Sequence, residues 1–177
     1  MNRRFFIVAL TAALALGAVV AAEQSVRIVP IVSDRTVLVS AEITDAYSDE
    51  IRQEIASGLR TSFSYDIELR VVVPAWVDRT IATATVTTSD QYDNLTRRHT
   101  LSRLVDGRVE DSSVTDDDGV VRRWLTTLSR VPVCDTSKLD PARDYYVRVT
   151  ARAKPRGTSI IGWATTVVGQ ARFTFIP

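Results

Sequence analysis

One-by-one alternation of apolar and polar residues is the strongest constraint in this chain. Val37, Val39, Ala41 and Ile43 alternate with Ser40, Glu42 and Thr44. Phe63, Tyr65, Ile67, Leu69 and Val71 alternate with Ser64, Asp66, Glu68 and Arg70. Tyr145, Val147, Val149 and Ala151 alternate with Arg148, Thr150 and Arg152, and Ala171, Phe173 and Phe175 with Arg172 and Thr174. Successive side chains of a strand point to opposite faces, so each run makes one buried and one wet face, the habit of antiparallel sheets. Weaker strand patterns cover residues 26–32, 80–88 and 95–105. The last of these places Leu95, His99, Leu101 and Val105 on one side. Asp106-Gly107 then predicts a hairpin turn, because Gly tolerates positive φ, with residues 108–112 returning.

Two segments change to a helical period. Ser48 is suited to cap a helix, with Asp49 and Glu50 in the first turn, where carboxylates complement the helix dipole. Ile51, Ile55 and Leu59 share one face of that helix, and Gly58 lies near its end. A second helix is expected over residues 120–130, where Val121, Trp124, Leu125 and Leu128 form a stripe, Arg130 closes the last turn and Pro132 stops it. The predicted order is two strands, a helix, a set of long strands, a second helix and two final strands. Regular βαβ alternation is missing, which argues against a doubly wound parallel sheet. The expected fold is mainly β within the α+β class: an antiparallel β-sandwich-like domain with two short helices.

The N-terminus predicts where this domain works. Arg3 and Arg4 precede an uncharged, mostly apolar run, and Val20-Ala21-Ala22 offers the small residues that a signal peptidase reads. Residues 1–22 are therefore expected to be a signal peptide, leaving residues 23–177 as a single β-rich extracytoplasmic domain, periplasmic or secreted. The alternative is an uncleaved anchor over residues 5–22, at the lower edge of a bilayer span. On that alternative the N-terminal segment is the one membrane contact.

The side chains needed for common chemistries are sparse. A formal net charge of +1 disfavours a nucleic-acid partner. Cys134 is the single cysteine, so no intrachain disulfide forms, and its expected role is that of a small buried hydrophobe. His99 is the single histidine. It reads as a half-buried strand residue, and no metal or other cofactor is expected. Asp116-Asp117-Asp118-Gly119 resembles a calcium loop only in its acids, since Val114 and Leu125 stand where ligands would be needed. It reads instead as a turn opening the second helix. Glu42, Asp66, Glu68 and Glu110 read as members of a solvated face. A Ser–His–acid hydrolase would have to use His99, and stays open as an alternative. Trp163, Arg97, Arg98 and Arg103 are the candidate interaction surface, the arginines for an acidic partner or anionic lipid and Trp163 as a partly exposed ring among small residues.

Several features occur together along the chain. The helix ending at Gly58-Leu59 runs into Phe63-Ser64-Tyr65-Asp66-Ile67-Glu68-Leu69. Trp76 follows with Asp78, then Leu139, Tyr145-Tyr146-Val147, Trp163 and Phe173-Thr174-Phe175. In these the chain resembles the bacterial domain-of-unknown-function 4390 family. That resemblance implies an exported protein with no assigned activity and no catalytic residues to carry over. Because some members are encoded near sensor kinases, it also implies a role beside a membrane signalling protein. The expected function is a non-catalytic domain binding a protein or envelope component. A membrane-tethered accessory subunit is the further alternative.

Overall fold

In a computed structural model, residues 26–44, 46–141, 143–155 and 166–176 are described. They form nine strands, two α-helices and a single 3₁₀ turn. Strands β1 (Val26–Ser33), β2 (Thr36–Ile43) and β7 (Thr127–Asp135) make one sheet in the order β1-β2-β7. The second sheet has the order β6-β5-β4-β3-β8-β9, built from β3 (Thr61–Val71), β4 (Arg79–Asp93), β5 (Arg98–Val105), β6 (Arg108–Thr115), β8 (Asp144–Pro155) and β9 (Thr166–Thr174). Every pairing is antiparallel. Helix α1 (Asp49–Ala56) leads into β3, and α2 (Asp118–Thr126) leads into β7. This is the β-sandwich-like α+β domain that the alternation predicts.

The alternation is realised residue by residue. Phe63, Tyr65, Ile67, Leu69 and Val71 of β3 are buried, as are Tyr145, Val147, Val149 and Ala151 of β8 beside them. Val37, Val39, Ala41 and Ile43 meet them from the smaller sheet, and Ile51, Ile55, Val121 and Leu125 from the helices, in one hydrophobic cluster. The wet faces carry ion pairs, Asp66 with Arg152 and Glu68 with Arg70. Tight hairpins close on positive-φ pairs, Asp34-Arg35 between β1 and β2 and Asp106-Gly107 between β5 and β6. Such pairs match the right-handed twist of the strands they join. Cys134 is buried on β7, where burial pushes its thiol pKa up and leaves it a poor nucleophile.

Three expectations are corrected. The second helix does not run over residues 120–130. It spans Asp118–Thr126, and the chain turns extended at Thr127. Leu128, Arg130 and Pro132 therefore belong to β7, and Leu128 reaches the core from a strand. Pro132 is tolerated because β7 is an edge strand with no partner to receive its missing N–H. Three strands, not two, follow α2. Leu59 does not continue the α1 face. Ser57 caps the helix, Gly58 takes φ +81°, and Leu59 is exposed beyond that break. Leu95 does not share the side of His99 and Leu101, because it lies in the β4–β5 turn and is 94% exposed.

Helix α2 is tied to the larger sheet by its last carbonyls. The Tyr65 and Thr88 hydroxyls both donate to the Leu125 carbonyl, the latter over 3.2 Å, within the core. Carbonyls at a helix end lack intrahelical partners, so these two buried hydroxyls meet a need that an apolar side chain could not. The two sheets meet at β1 and β9, where a Cβ on Gly169 would lie 2.8 Å from the Val26 carbonyl and 2.9 Å from Val26 Cβ. Gly169→Ala must push β1 outward, and is expected to cost about 1–3 kcal/mol, as overpacking does. Urea unfolding of the purified domain measures it.

Candidate functional site

A cleft of about 720 Å³ opens where α1, the β4–β5 turn and the β6–α2 turn meet. Its lining includes Tyr47, Arg52, Tyr92, Arg97, Arg98, His99, Asp116 and Asp118. Local sequence sets each wall. Ser48 caps α1 by accepting from the Ile51 N–H, and Asp49 pairs with Arg52 on the same helix. In the β4–β5 turn, Asp93 accepts from the N–H groups of Leu95 and Thr96 and from the Thr96 hydroxyl, which holds its carboxyl below the usual range. Asp117 caps α2 through the Gly119 and Val120 N–H groups, as expected for a helix-opening turn. Among the described residues no group of three or more His, Cys, Asp or Glu side chains is placed to hold a metal ion.

His99 lies at the base of this cleft and is more deeply buried than the alternation implied, at 5% exposed. Its Nδ1 is 2.9 Å from Oδ2 of Asp90, a carboxylate with no exposed surface, and its Nε2 is 3.6 Å from Oδ1 of Asp118. The Tyr92 ring packs 4.6 Å from the imidazole, centroid to centroid. Burial raises the Asp90 pKa, and the hydrogen bond from His99 opposes that rise. The other Asp90 oxygen, Oδ1, is buried with no hydrogen-bond partner. No serine hydroxyl is among the hydrogen-bond partners of His99 in the described residues, so its second nitrogen faces a carboxylate rather than a nucleophile. Tyr47, facing the same network, has its pKa pushed up to about 12 by burial, with the Asp118 and Asp90 carboxylates adding to the shift.

The arginines singled out from sequence divide between two places. Arg97 and Arg98 line the cleft. Arg103 lies on the core-facing side of β5 and stacks 4.4 Å over the Trp124 ring, whose N–H donates to the Ser102 carbonyl. Arg97 and Arg98 stand at the β4–β5 turn, at the start of β5, whereas Arg103 lies five residues further along the strand beside Trp124. Trp163 lies outside the described residues. Asp90 escaped sequence reasoning because it sits in a polar stretch, Thr87-Thr88-Ser89-Asp90-Gln91, with no apolar alternation to mark it. Its register, two residues before the Tyr92–His99 cross-strand pair, is the signal that could have found it.

A second surface stands at the other end of β4. Trp76 and Val77 are 81% and 75% exposed at the tip of the β3–β4 loop. The loop is pinned by Asp78. Its Oδ1 accepts from the Val73 N–H, its Oδ2 from the Tyr146 hydroxyl, and its carbonyl from Arg70. Ala75 is held there at φ +60°, a conformation costly for a residue with a Cβ. The open edge of the larger sheet, β6, is exposed along almost its whole length. A register shift leaves Glu110 without a cross-strand partner, and a bulge and acidic side chains of this kind blunt an edge against strand addition.

A family model described as a domain of unknown function (DUF4390) matches residues 23–156. The chain belongs to this family. The match takes in β1 through β8 and therefore the cleft, the Asp90–His99 pair and the Trp76 loop. No curated protein and no solved structure matches the chain.

Two measurements test the electrostatics of the cleft. Asp90→Ala strands a buried imidazole and is expected to cost about 3 kcal/mol, whereas Asp118→Ala, at an exposed group, costs under about 1 kcal/mol. Chemical denaturation of both variants shows whether that order holds. The second test is alkaline. Unfolded tyrosine loses its proton near 10.0 and folded Tyr47 near about 12. The stability linked to this group is thus complete below pH 10.0 and is lost as pH rises through about 12. Tyr47→Phe is expected to flatten that part of the stability–pH curve.

Proposed function

We propose that this DUF4390 protein is an exported, non-catalytic binding domain that docks on a protein or other component of the bacterial envelope, beside a membrane signalling protein. The observation that carries the reading is the Trp76–Val77 tip. Large apolar side chains held out from a rigid loop are the anchors that interfaces are built around, and Trp leads among them. A flexible loop could fold these groups away, but the three bonds to Asp78 keep them presented. Export is supported by the basic, then apolar, then small-residue order of residues 3–22 and by the start of the family match at residue 23.

A photo-reactive residue at position 77, introduced into the full chain in intact cells, is expected to capture one reproducible envelope partner. Trp76→Ser should abolish that capture while changing folding stability by less than about 0.5 kcal/mol, since the side chain touches little of the core. Failure to capture any partner from position 77 would refute the docking surface. Mass spectrometry of the cellular protein is expected to find Glu23 at its N-terminus. An intact residue 1–22 segment would favour the membrane-tethered form of the same reading.

A further inference from the structure

The cleft around His99 is separate from the docking tip. The two lie at opposite ends of β4, a 15-residue strand, so roughly 45 Å of extended chain separates them at about 3.3 Å per residue. What the cleft can hold follows from its charges. Arg97 and Arg98 make no ion pair among the described residues, and they enter from the β4–β5 turn. Asp116 enters from the β6–α2 turn and Asp118 from the first turn of α2. Asp116 is likewise unpaired among the described residues, and Asp118 has only the long 3.6 Å approach to His99.

Between these walls stands an imidazole that cannot turn away. Asp90 fixes Nδ1 at 2.9 Å and Tyr92 packs against the ring. Nε2 is left facing the cleft, and Asp118 Oδ1 at 3.6 Å is too far to be its hydrogen-bond partner. The His99 side chain is 7% exposed, whereas that of Asp118 is 76% exposed. The Nε2 atom of a deeply held ring thus meets the cleft without a close partner, next to an exposed carboxylate. With Nδ1–H donating to Asp90, Nε2 of that tautomer accepts, so a ligand N–H near Nε2 and Asp118 would complete the imidazole, with Arg97 and Arg98 available for a negative charge elsewhere on the ligand. The Asp116 and Asp118 carboxylates would oppose a purely anionic ligand, but they would welcome a cationic group on the same molecule. The Tyr47 and Tyr92 rings and Ile55 supply apolar surface for whatever joins the two charges. A volume of about 720 Å³ suits a short chain with both charges, within the usual range for small-ligand sites.

We infer that this cleft binds a zwitterionic short peptide, its carboxylate toward Arg97 and Arg98, its ammonium toward His99 Nε2, Asp116 and Asp118. The single histidine makes the test direct, because the ring signals of His99 in an NMR spectrum have no others to be confused with. The probes are trialanine, N-acetyl-trialanine and trialanine amide, titrated into the folded protein at neutral pH. Trialanine is expected to shift the His99 ring signals saturably. Capping either terminus should weaken binding about tenfold or more, the loss of one charge-assisted contact. Arg97→Gln with Arg98→Gln should weaken trialanine and its acetylated form alike. Asp118→Asn should weaken trialanine and its amide but spare the acetylated form. Equal binding of N-acetyl-trialanine and trialanine would make this a plain anion site and overturn the inference, and equal binding of the amide would do the same for a cation site. No shift with any probe also overturns it. Trp76→Ser should leave all these titrations unchanged, so the docking reading and the peptide site stand or fall separately.

Discussion

Strand β3 is hydrogen-bonded along its whole length on both sides, to β4 and to β8, and it buries every second side chain from Thr61 to Val71. A slip of one residue in either pairing would send Phe63, Tyr65, Ile67, Leu69 and Val71 to water and bring Asp66, Glu68 and Arg70 into the core. That cost fixes the register of the centre of the larger sheet. The rest of the molecule is placed from this strand. The loop after Val71 carries Trp76, and the helix before Thr61 forms one wall of the cleft. The hydroxyl of Tyr65 holds the last turn of α2.

The hold on α2 connects core to surface. With the Leu125 carbonyl bound by Tyr65 and Thr88, the helix is set on the sheet at its C-terminal end. Its N-terminal end, capped by Asp117, then brings Asp118 to 3.6 Å from His99. Burying Asp90 costs solvation, and the structure offsets only part of this with one hydrogen bond to His99 while leaving Oδ1 unpaired. A folding core gains nothing from such a pair that an apolar pair would not supply better. The arrangement makes physical sense as a means of holding one imidazole nitrogen toward a cleft.

The two surfaces ask for different kinds of partner. The Trp76 tip presents exposed apolar side chains on a loop pinned by Asp78, which suits seating against a complementary surface of another macromolecule. The His99 cleft is concave, of both signs of charge, and sized for a small ligand. A family described only as a domain of unknown function assigns neither. Strand β4, 15 residues long, keeps the two surfaces apart, so neither obstructs the other.

Much of the architecture was legible in the residues alone. Period-two runs marked β2, β3, β8 and β9, Ser48 marked the start of α1, and Asp106-Gly107 marked a hairpin, because each signal arises within a few neighbouring residues. The apolar stripe of α2 continued by coincidence into Leu128, so the helix–strand change at Thr127 had no local signal. It is imposed by pairing with β2, where Thr127 meets Glu42 and Leu128 meets Ala41, far earlier in the chain. Leu95 kept the alternation and still left the strand, because Asp93 folds the chain into a turn there. Tertiary structure alone decided that Arg97 and Arg98 share a cleft while Arg103 turns inward onto Trp124, and that Asp90 lies buried against His99. Local periodicity states which face of a strand is wet; only the pairing of distant strands states which side chains meet across it.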